Sequence, residues 1–185
     1  MLDKRNSVMR LEEIEEYKID SEKEKAIKEL LQKSFELYPN DRIFYKQVPS
    51  FRLLLWADDI LAAQIGIVFR VVSLDKKPIR IFGLMDLCVD ENYRSKKIGS
   101  KVLKNIEKIG KKNQIDFLLL FGGIQDYYEQ KGFQMVTNSC RWVLMKDYET
   151  LGILNRKIPD TLLIKSLSNK KWNEKSDLDL MGFVF

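Results

Sequence analysis

Residues 79–121 constrain the fold more than any other stretch of this chain. Ile79 to Val89 is a β-prone run. Ile98, Val102, Leu103, Ile106 and Ile109 then recur at helical spacing, with Lys101, Lys104, Lys108 and Lys111 on the opposite face. Ile115 to Phe121 follows as a second apolar strand. Strand, amphipathic helix and strand at this length make a βαβ crossover, so 79–89 and 115–121 are expected to be parallel or nearly so.

Upstream the pattern is antiparallel. Met9 to Ile19 alternates loosely as a first strand, and Ser21 with Glu24 reads as a capping box. Ile27, Leu30, Leu31 and Phe35 place a helix over about 22–36, and residues 37–50 are loop or short helix. Phe51–Trp56 is a short strand closed by a turn at Asp58-Asp59. Ile60–Leu74, rich in Ile, Val, Ala and Phe, reads as a strand deep in a sheet. Asp75 to Pro78 is a hairpin-type turn. Downstream, Gly122-Gly123 opens a short helix to about Lys131, and Arg141–Lys146 is another strand. The tail holds Leu162–Ile164 and ends on Leu180 to Phe185, too apolar to hang free, so it is expected to dock. The fold class is therefore mixed α/β (α+β): antiparallel N-terminal strands, a parallel central pair and flanking helices. At 185 residues the chain is expected to form one domain, 1–185, with a core motif region at about 51–136 and a docked tail at about 147–185.

Composition removes whole classes of chemistry. The chain has no histidine, which excludes Ser-His-Asp and Cys-His catalysis and any His-ligated metal. Its two cysteines, Cys88 and Cys140, are far apart, so no metal is expected, and free thiols suit a reducing cytoplasm. Hydrophobic residues at 45% and charged residues at 32% are the balance of a soluble globular protein. No signal peptide and no membrane-length apolar run is visible, so no membrane partner is expected. The net charge of +5 points to an anionic ligand. Trp56, Trp142 and Trp172 lack the basic–aromatic interleaving of nucleic-acid binders, so no nucleic-acid partner is expected.

The anion has an evident place. After Val89 a buried strand gives way to a basic loop, and a helix starts near Ile98. Unpaired backbone N–H groups and the positive end of the helix dipole make such a start a phosphate site. Gly99 permits close approach, Ser100 adds a donor, and Arg94, Lys96 and Lys97 add charge suited to a polyphosphate.

Here the sequence resembles the GCN5-related N-acetyltransferase (GNAT) superfamily, whose acetyl-CoA loop is Arg/Gln-x-x-Gly-x-Gly/Ala. It stands here as Arg94-Ser95-Lys96-Lys97-Ile98-Gly99, then Ser100, with Lys97 replacing the central glycine. A second family element, Tyr-x-x-x-Gly-Phe, is matched by Tyr128 to Gly132-Phe133. The Gly-Gly-Ile-Gln-Asp-Tyr-Tyr stretch looks closer to the branch containing aminoglycoside 2′-N-acetyltransferases. Phe121 stands where the commoner branch has an Asn, so that residue's pantetheine contact does not carry over.

The resemblance implies the acyl-CoA N-acyltransferase fold and direct acetyl transfer from acetyl-CoA to a primary amine, without a covalent enzyme intermediate. Pantetheine would lie against free backbone groups of the fourth strand, which map to Leu87, Cys88 and Val89. The resemblance makes Tyr128 the candidate general acid for the departing thiolate, because the family's tyrosine at this position lies near the thioester sulfur and a phenol near pKa ~10 is close to a thiol near ~8.5; packing beside the cofactor is the alternative role. The base stays open between Asp86, a carboxylate inside an apolar strand, and the terminal carboxylate of Phe185, as in related enzymes with a docked aromatic tail. Pairing of Asp86 with Lys or Arg is the structural alternative. The family often carries a strand-four carboxylate at the positions of Gly83 or Met85 instead. Cys88 reads as a small core residue rather than a nucleophile. A small-molecule amine suits the tail, which could close a pocket, better than a protein does. A polycationic acceptor would call on Asp58, Asp59, Asp177 and Asp179. A homodimer is left open, and a non-catalytic acyl-CoA sensor on the same fold is the rival reading.

Overall fold

The structure, a computed structural model, describes residues 8–94, 96–122, 124–158 and 161–185. The chain separates into two compact units: residues up to Gly66 with Asp86–Leu103, and Ile67–Met85 with Lys104–Phe185.

In the first unit β1 (Met9–Glu15) pairs antiparallel with β2 (Phe51–Ala57), from Met9↔Ala57 to Glu15↔Phe51. β2 also pairs with β3 (Ile60–Leu74), which contributes residues 60–66 to this unit. Helix α1 (Ser21–Ser34) buries Ile27, Leu30 and Leu31 in one apolar cluster with Ile14, Tyr38, Ile43, Leu54, Trp56, Leu61 and Cys88. Its cap differs from the expected one. Asp20, not Ser21, is the N-cap, its carboxylate accepting the Lys23 N–H at 2.9 Å, so Ser21 is already the first helical residue. The first strand is also shorter than expected, because Glu16–Lys18 turns as a 3-10 helix.

In the second unit the sheet order is β6-β9-β5-β4-β3-β10-β7-β8. Its members are β4 (Lys77–Val89, here to Met85), β5 (Phe117–Phe121), β6 (Gln134–Met135), β7 (Ser139–Lys146), β8 (Glu149–Lys157), β9 (Leu162–Ser166) and β10 (Leu178–Asp179), with the later part of β3. β3 turns into β4 through Asp75 and Lys76, both left-handed at φ 54° and 56°, the backbone a two-residue hairpin favours. β4 and β5 are parallel, as the crossover requires, with the register running from Ile81↔Phe117 to Leu84↔Leu120. The connecting helix α2 (Ile98–Lys112) buries Val102, Leu103 and Ile106 and leaves the lysine stripe exposed, as its periodicity predicts.

β5 pairs antiparallel with β9 and β7 with β8. The fold is thus the mixed sheet with a parallel central pair expected above. The short helix α3 spans only Gln125–Glu129.

The tail docks on this unit. Trp172 meets Phe117 edge-on at 5.1 Å, and its indole N–H donates to Asn138 Oδ1 at 2.9 Å. The Asn138 amide in turn donates to the carbonyls of Asn173 and Ser176, at 2.9 and 2.7 Å. Asn138 is 2% exposed, so these bonds satisfy a polar group that burial would otherwise make costly. Among the described residues no helix is long and apolar enough to cross a membrane.

Candidate functional site

In the first unit the chain leaves β4 at Val89 and enters a tight basic turn. Asp90 ends the strand, its N–H donating to the Ala62 carbonyl at 2.9 Å while its carboxylate accepts the Asn92 N–H at 3.0 Å. Arg94 folds back, Nε donating to the Val89 carbonyl at 3.3 Å, and Lys96 places its ammonium 4.8 Å from the Tyr93 ring. Ser95 lies outside the described residues. Lys97 adopts φ +59° and its carbonyl accepts the Lys101 N–H at 3.0 Å, which starts α2.

That conformation is one a glycine, the residue of the resembled motif at this position, adopts without strain. A left-handed residue aims the turn into the helix. A glycine adopts it freely, and a lysine does so at about 1–2 kcal/mol. Lys97 holds that left-handed backbone with its side chain exposed. Arg94, Lys96 and Lys97 are exposed, Ile98 and Gly99 are buried, and Ser100 is half-buried. The first N–H groups of a helix have no acceptor within it and carry the positive end of its dipole. With three exposed cations beside them they fit a diphosphate. Of the strand residues expected to meet pantetheine, Leu87 and Val89 are half-buried and Cys88 is buried. Burial pushes the Cys88 thiol up to about 11, against a nucleophilic role.

Asp86 sits in the same unit and breaks the regularity of β4, with φ +56°. Its carbonyl takes a hydrogen bond from the Gln64 amide, which also lies 3.6 Å from Cys88 Sγ. Its carboxylate accepts the Tyr38 hydroxyl at 2.7 Å. Among the described residues no Lys or Arg forms an ion pair with Asp86. The nearby Arg52 directs Nε and Nη2 to Glu16 at 2.7 and 2.9 Å, Nη1 to Gln64 at 2.9 Å and Nη2 to the Ile43 carbonyl at 2.6 Å. Burial holds the Asp86 carboxyl above the usual carboxylate range, opposed by the Tyr38 bond and the Arg52 charge. A half-buried carboxylate of raised pKa is the profile of a general base.

Tyr38, Arg52 and Gln64 were not singled out from the sequence. Arg52 and Gln64 are fully buried within otherwise apolar strands, and a polar side chain at such a position was the signal available.

The second unit holds the other two catalytic candidates. Tyr128 lies on α3, its ring 5.4 Å from Phe133 and 5.2 Å from Tyr127. The spacing of Tyr128, Gly132 and Phe133 has a physical reason. The Tyr128 carbonyl accepts the N–H groups of Lys131 and Phe133, at 2.9 and 3.1 Å. Gly132 at φ +82° makes the left-handed exit that lets Phe133 fold back. Burial pushes the Tyr128 phenol up to about 12, so the near match to a thiol expected from sequence is not met.

Phe185 lays its ring on Gly83, where any added Cβ would lie 2.6 Å from ring carbons, and meets Phe121 at 5.5 Å. No carboxylate side chain fits at Gly83 under that ring. Arg70 fastens this segment, stacking 4.4 Å from the Phe183 ring and donating to the Phe183 carbonyl at 2.7 Å.

Of the acidic residues weighed for a polycationic acceptor, Asp58 accepts the Val8 N–H at 3.0 Å. Asp179 accepts the Met181 N–H at 2.8 Å and lies 3.8 Å from Arg141. Among the described residues no group of three or more Cys, Asp or Glu is placed to hold a metal ion.

Comparison with known proteins bears on the same segments. The family model described as the acetyltransferase (GNAT) family matches residues 12–152. A protein of Amsacta moorei entomopoxvirus, provisionally named a glycylpeptide N-tetradecanoyltransferase, is 26% identical over 122 residues, which cover 64% of this chain and 41% of that one. Among solved structures, a GNAT family N-acetyltransferase from Escherichia coli in complex with CoA matches with a TM-score of 0.62 at 16% identity, over 95% of this chain and 89% of its own. The ribosomal-protein-S18-alanine N-acetyltransferase from Escherichia coli matches with a TM-score of 0.60 at 15% identity, over 90% and 98%. The chain spans less than half the length of the viral relative and 33–40% of three further solved chains.

Proposed function

The chain belongs to the acetyltransferase (GNAT) family, and from that membership we propose that it transfers an acetyl group from acetyl-CoA directly to the primary amine of a small molecule. The observation that carries the donor half of this reading is the turn from Arg94 to the start of α2. Its left-handed Lys97 and exposed cations stand at the start of a helix, where the first N–H groups have no acceptor within it. The pyrophosphate is assigned to that turn and the pantetheine to the backbone of Leu87–Val89.

An amine near pKa ~10 arrives protonated at neutral pH and must lose its proton before it attacks. Asp86 is assigned that proton, because burial raises its affinity for one. Tyr128 is assigned the leaving thiolate. With its phenol at about 12 it stays protonated throughout the working range, so it serves the developing sulfur charge mainly by donating a hydrogen bond. The terminal carboxylate of Phe185 is the weaker candidate for the base, since the observation in hand is a ring seated on Gly83.

Release of CoA thiol from acetyl-CoA against a panel of small amines, an aminoglycoside among them, tests the reading. Binding of CoA without thiol release would identify a non-catalytic acyl-CoA sensor instead, and no binding at low salt would overturn the donor assignment. A second reading, a long-chain acyl donor and a peptide amine, is favoured by the name of the viral relative. The same panel run with tetradecanoyl-CoA and an N-terminal glycine peptide separates the two. Tyr128→Phe is expected to lower kcat at least tenfold with little change in CoA affinity, read by steady-state kinetics and calorimetry. An unchanged kcat removes Tyr128 from the chemistry.

A further inference from the structure

We propose that Tyr38 and Asp86 handle one proton as a pair, with Tyr38 the positioning residue that holds Asp86 ready to receive the proton of the acceptor amine. This rests on the acyltransferase reading above. Tyr38 lies just beyond α1, its side chain buried in the first unit's core. Its hydroxyl has two acceptors within reach, Asp86 Oδ2 at 2.7 Å and the Ile43 carbonyl at 3.2 Å. A phenol carries one proton, so it serves one of them at a time. While Asp86 is ionised, the Tyr38 O–H donates to the carboxylate. When a proton passes from an ammonium nitrogen to Asp86, the new carboxyl O–H donates to the phenol oxygen, and the Tyr38 O–H turns to Ile43. One N–H bond breaks and one O–H bond forms. Tyr38 keeps its own proton throughout, since burial and the neighbouring carboxylate hold its phenol far above the ordinary value.

The surroundings suit this exchange. The Ile43 carbonyl has a second lone pair for the Arg52 Nη2 bond, so the turn of Tyr38 displaces nothing. The groups facing Asp86 are Glu16 after β1, Tyr38 after α1, Arg52 on β2, Gln64 on β3 and Cys88 on β4. Arg52 is paired with Glu16, and Cys88 is a neutral thiol at working pH. Asp86 is therefore the unpaired carboxylate in this set, and burial raises its affinity for a proton.

The test is Tyr38→Phe, which keeps the ring and its contacts with Phe35 and Tyr45 at 5.9 and 6.3 Å. Two readouts are taken: carboxyl-carbon NMR titration of Asp86, assigned with Asp86→Asn, and the pH profile of kcat/KM. Loss of a donor to the anion moves the Asp86 midpoint to higher pH. Below the midpoint kcat/KM falls about tenfold or more, the worth of one hydrogen bond to a charged group, and recovers toward wild type at alkaline pH. A midpoint that does not move overturns the pair. A midpoint that moves while kcat/KM falls equally at every pH overturns its role in transfer. If CoA binds but no donor and amine react, the acyltransferase reading fails, and the NMR titration still decides the pairing.

Discussion

Replacing Arg52 by methionine is expected to cost about 3–5 kcal/mol of stability, the range for removing one partner of a buried ion pair. The side chain is fully buried, so its charge is tolerated only because its bonds are complete. Three of its nitrogens reach Glu16, Gln64 and the Ile43 carbonyl. Methionine keeps most of the volume and removes every donor. The Glu16 carboxylate, with a side chain only 12% exposed, then loses its counter-charge. A denaturant midpoint that falls by the equivalent of less than about 1 kcal/mol would show that water replaces those bonds at little cost. The double variant Glu16→Gln, Arg52→Met is expected to recover part of the loss, because the stranded charge rather than the lost attraction is the larger penalty.

Arg52 and Gln64 stand in strands whose apolar pattern is legible, but their partners are not. The βαβ unit at 79–121 was legible because its signals are local. A 3.6-residue period needs a helix, and a short apolar run after it has one place to go. The helix start at Lys97 and the spacing from Tyr128 to Phe133 were legible for the same reason, since each is a local backbone feature. What escaped was set by distant partners or by choices between near-equivalent neighbours. Asp20 takes the helix cap from Ser21 through one bond to Lys23, a choice between neighbours that propensity does not separate. β8 is exposed at nearly every position, so it has no burial period to read, and it exists through its ladder with β7. Tyr38 stood in a segment with no period at all, 48 residues from Asp86. Lys97 was visible only as a missing glycine, and its left-handed φ supplies the reason that the turn survives the change.

Asp86→Asn is expected to lower kcat/KM by about 10²–10⁴, the usual contribution of a general base, while leaving stability unchanged or slightly raised. The two effects have one cause. Asp86 is an acid whose pKa is raised on folding, chiefly by burial. Its protonated form is the one the fold prefers, so the stability it contributes is full below the unfolded pKa and is lost as pH rises through the folded pKa. Wherever it is ionised, the carboxylate is thus a cost that the fold carries. Asparagine has nearly the same shape, tolerates the left-handed φ at this position and still offers Tyr38 an oxygen, but it holds no charge and takes no proton. The ascending acid limb of the pH–rate profile should disappear with it, and thermal unfolding at pH 8 should shift upward or not at all. A variant that unfolds several degrees lower would identify Asp86 as structural. One that keeps wild-type kcat/KM across pH 6–9 would transfer the base role elsewhere, and removing the terminal carboxylate of Phe185 would then be the next measurement.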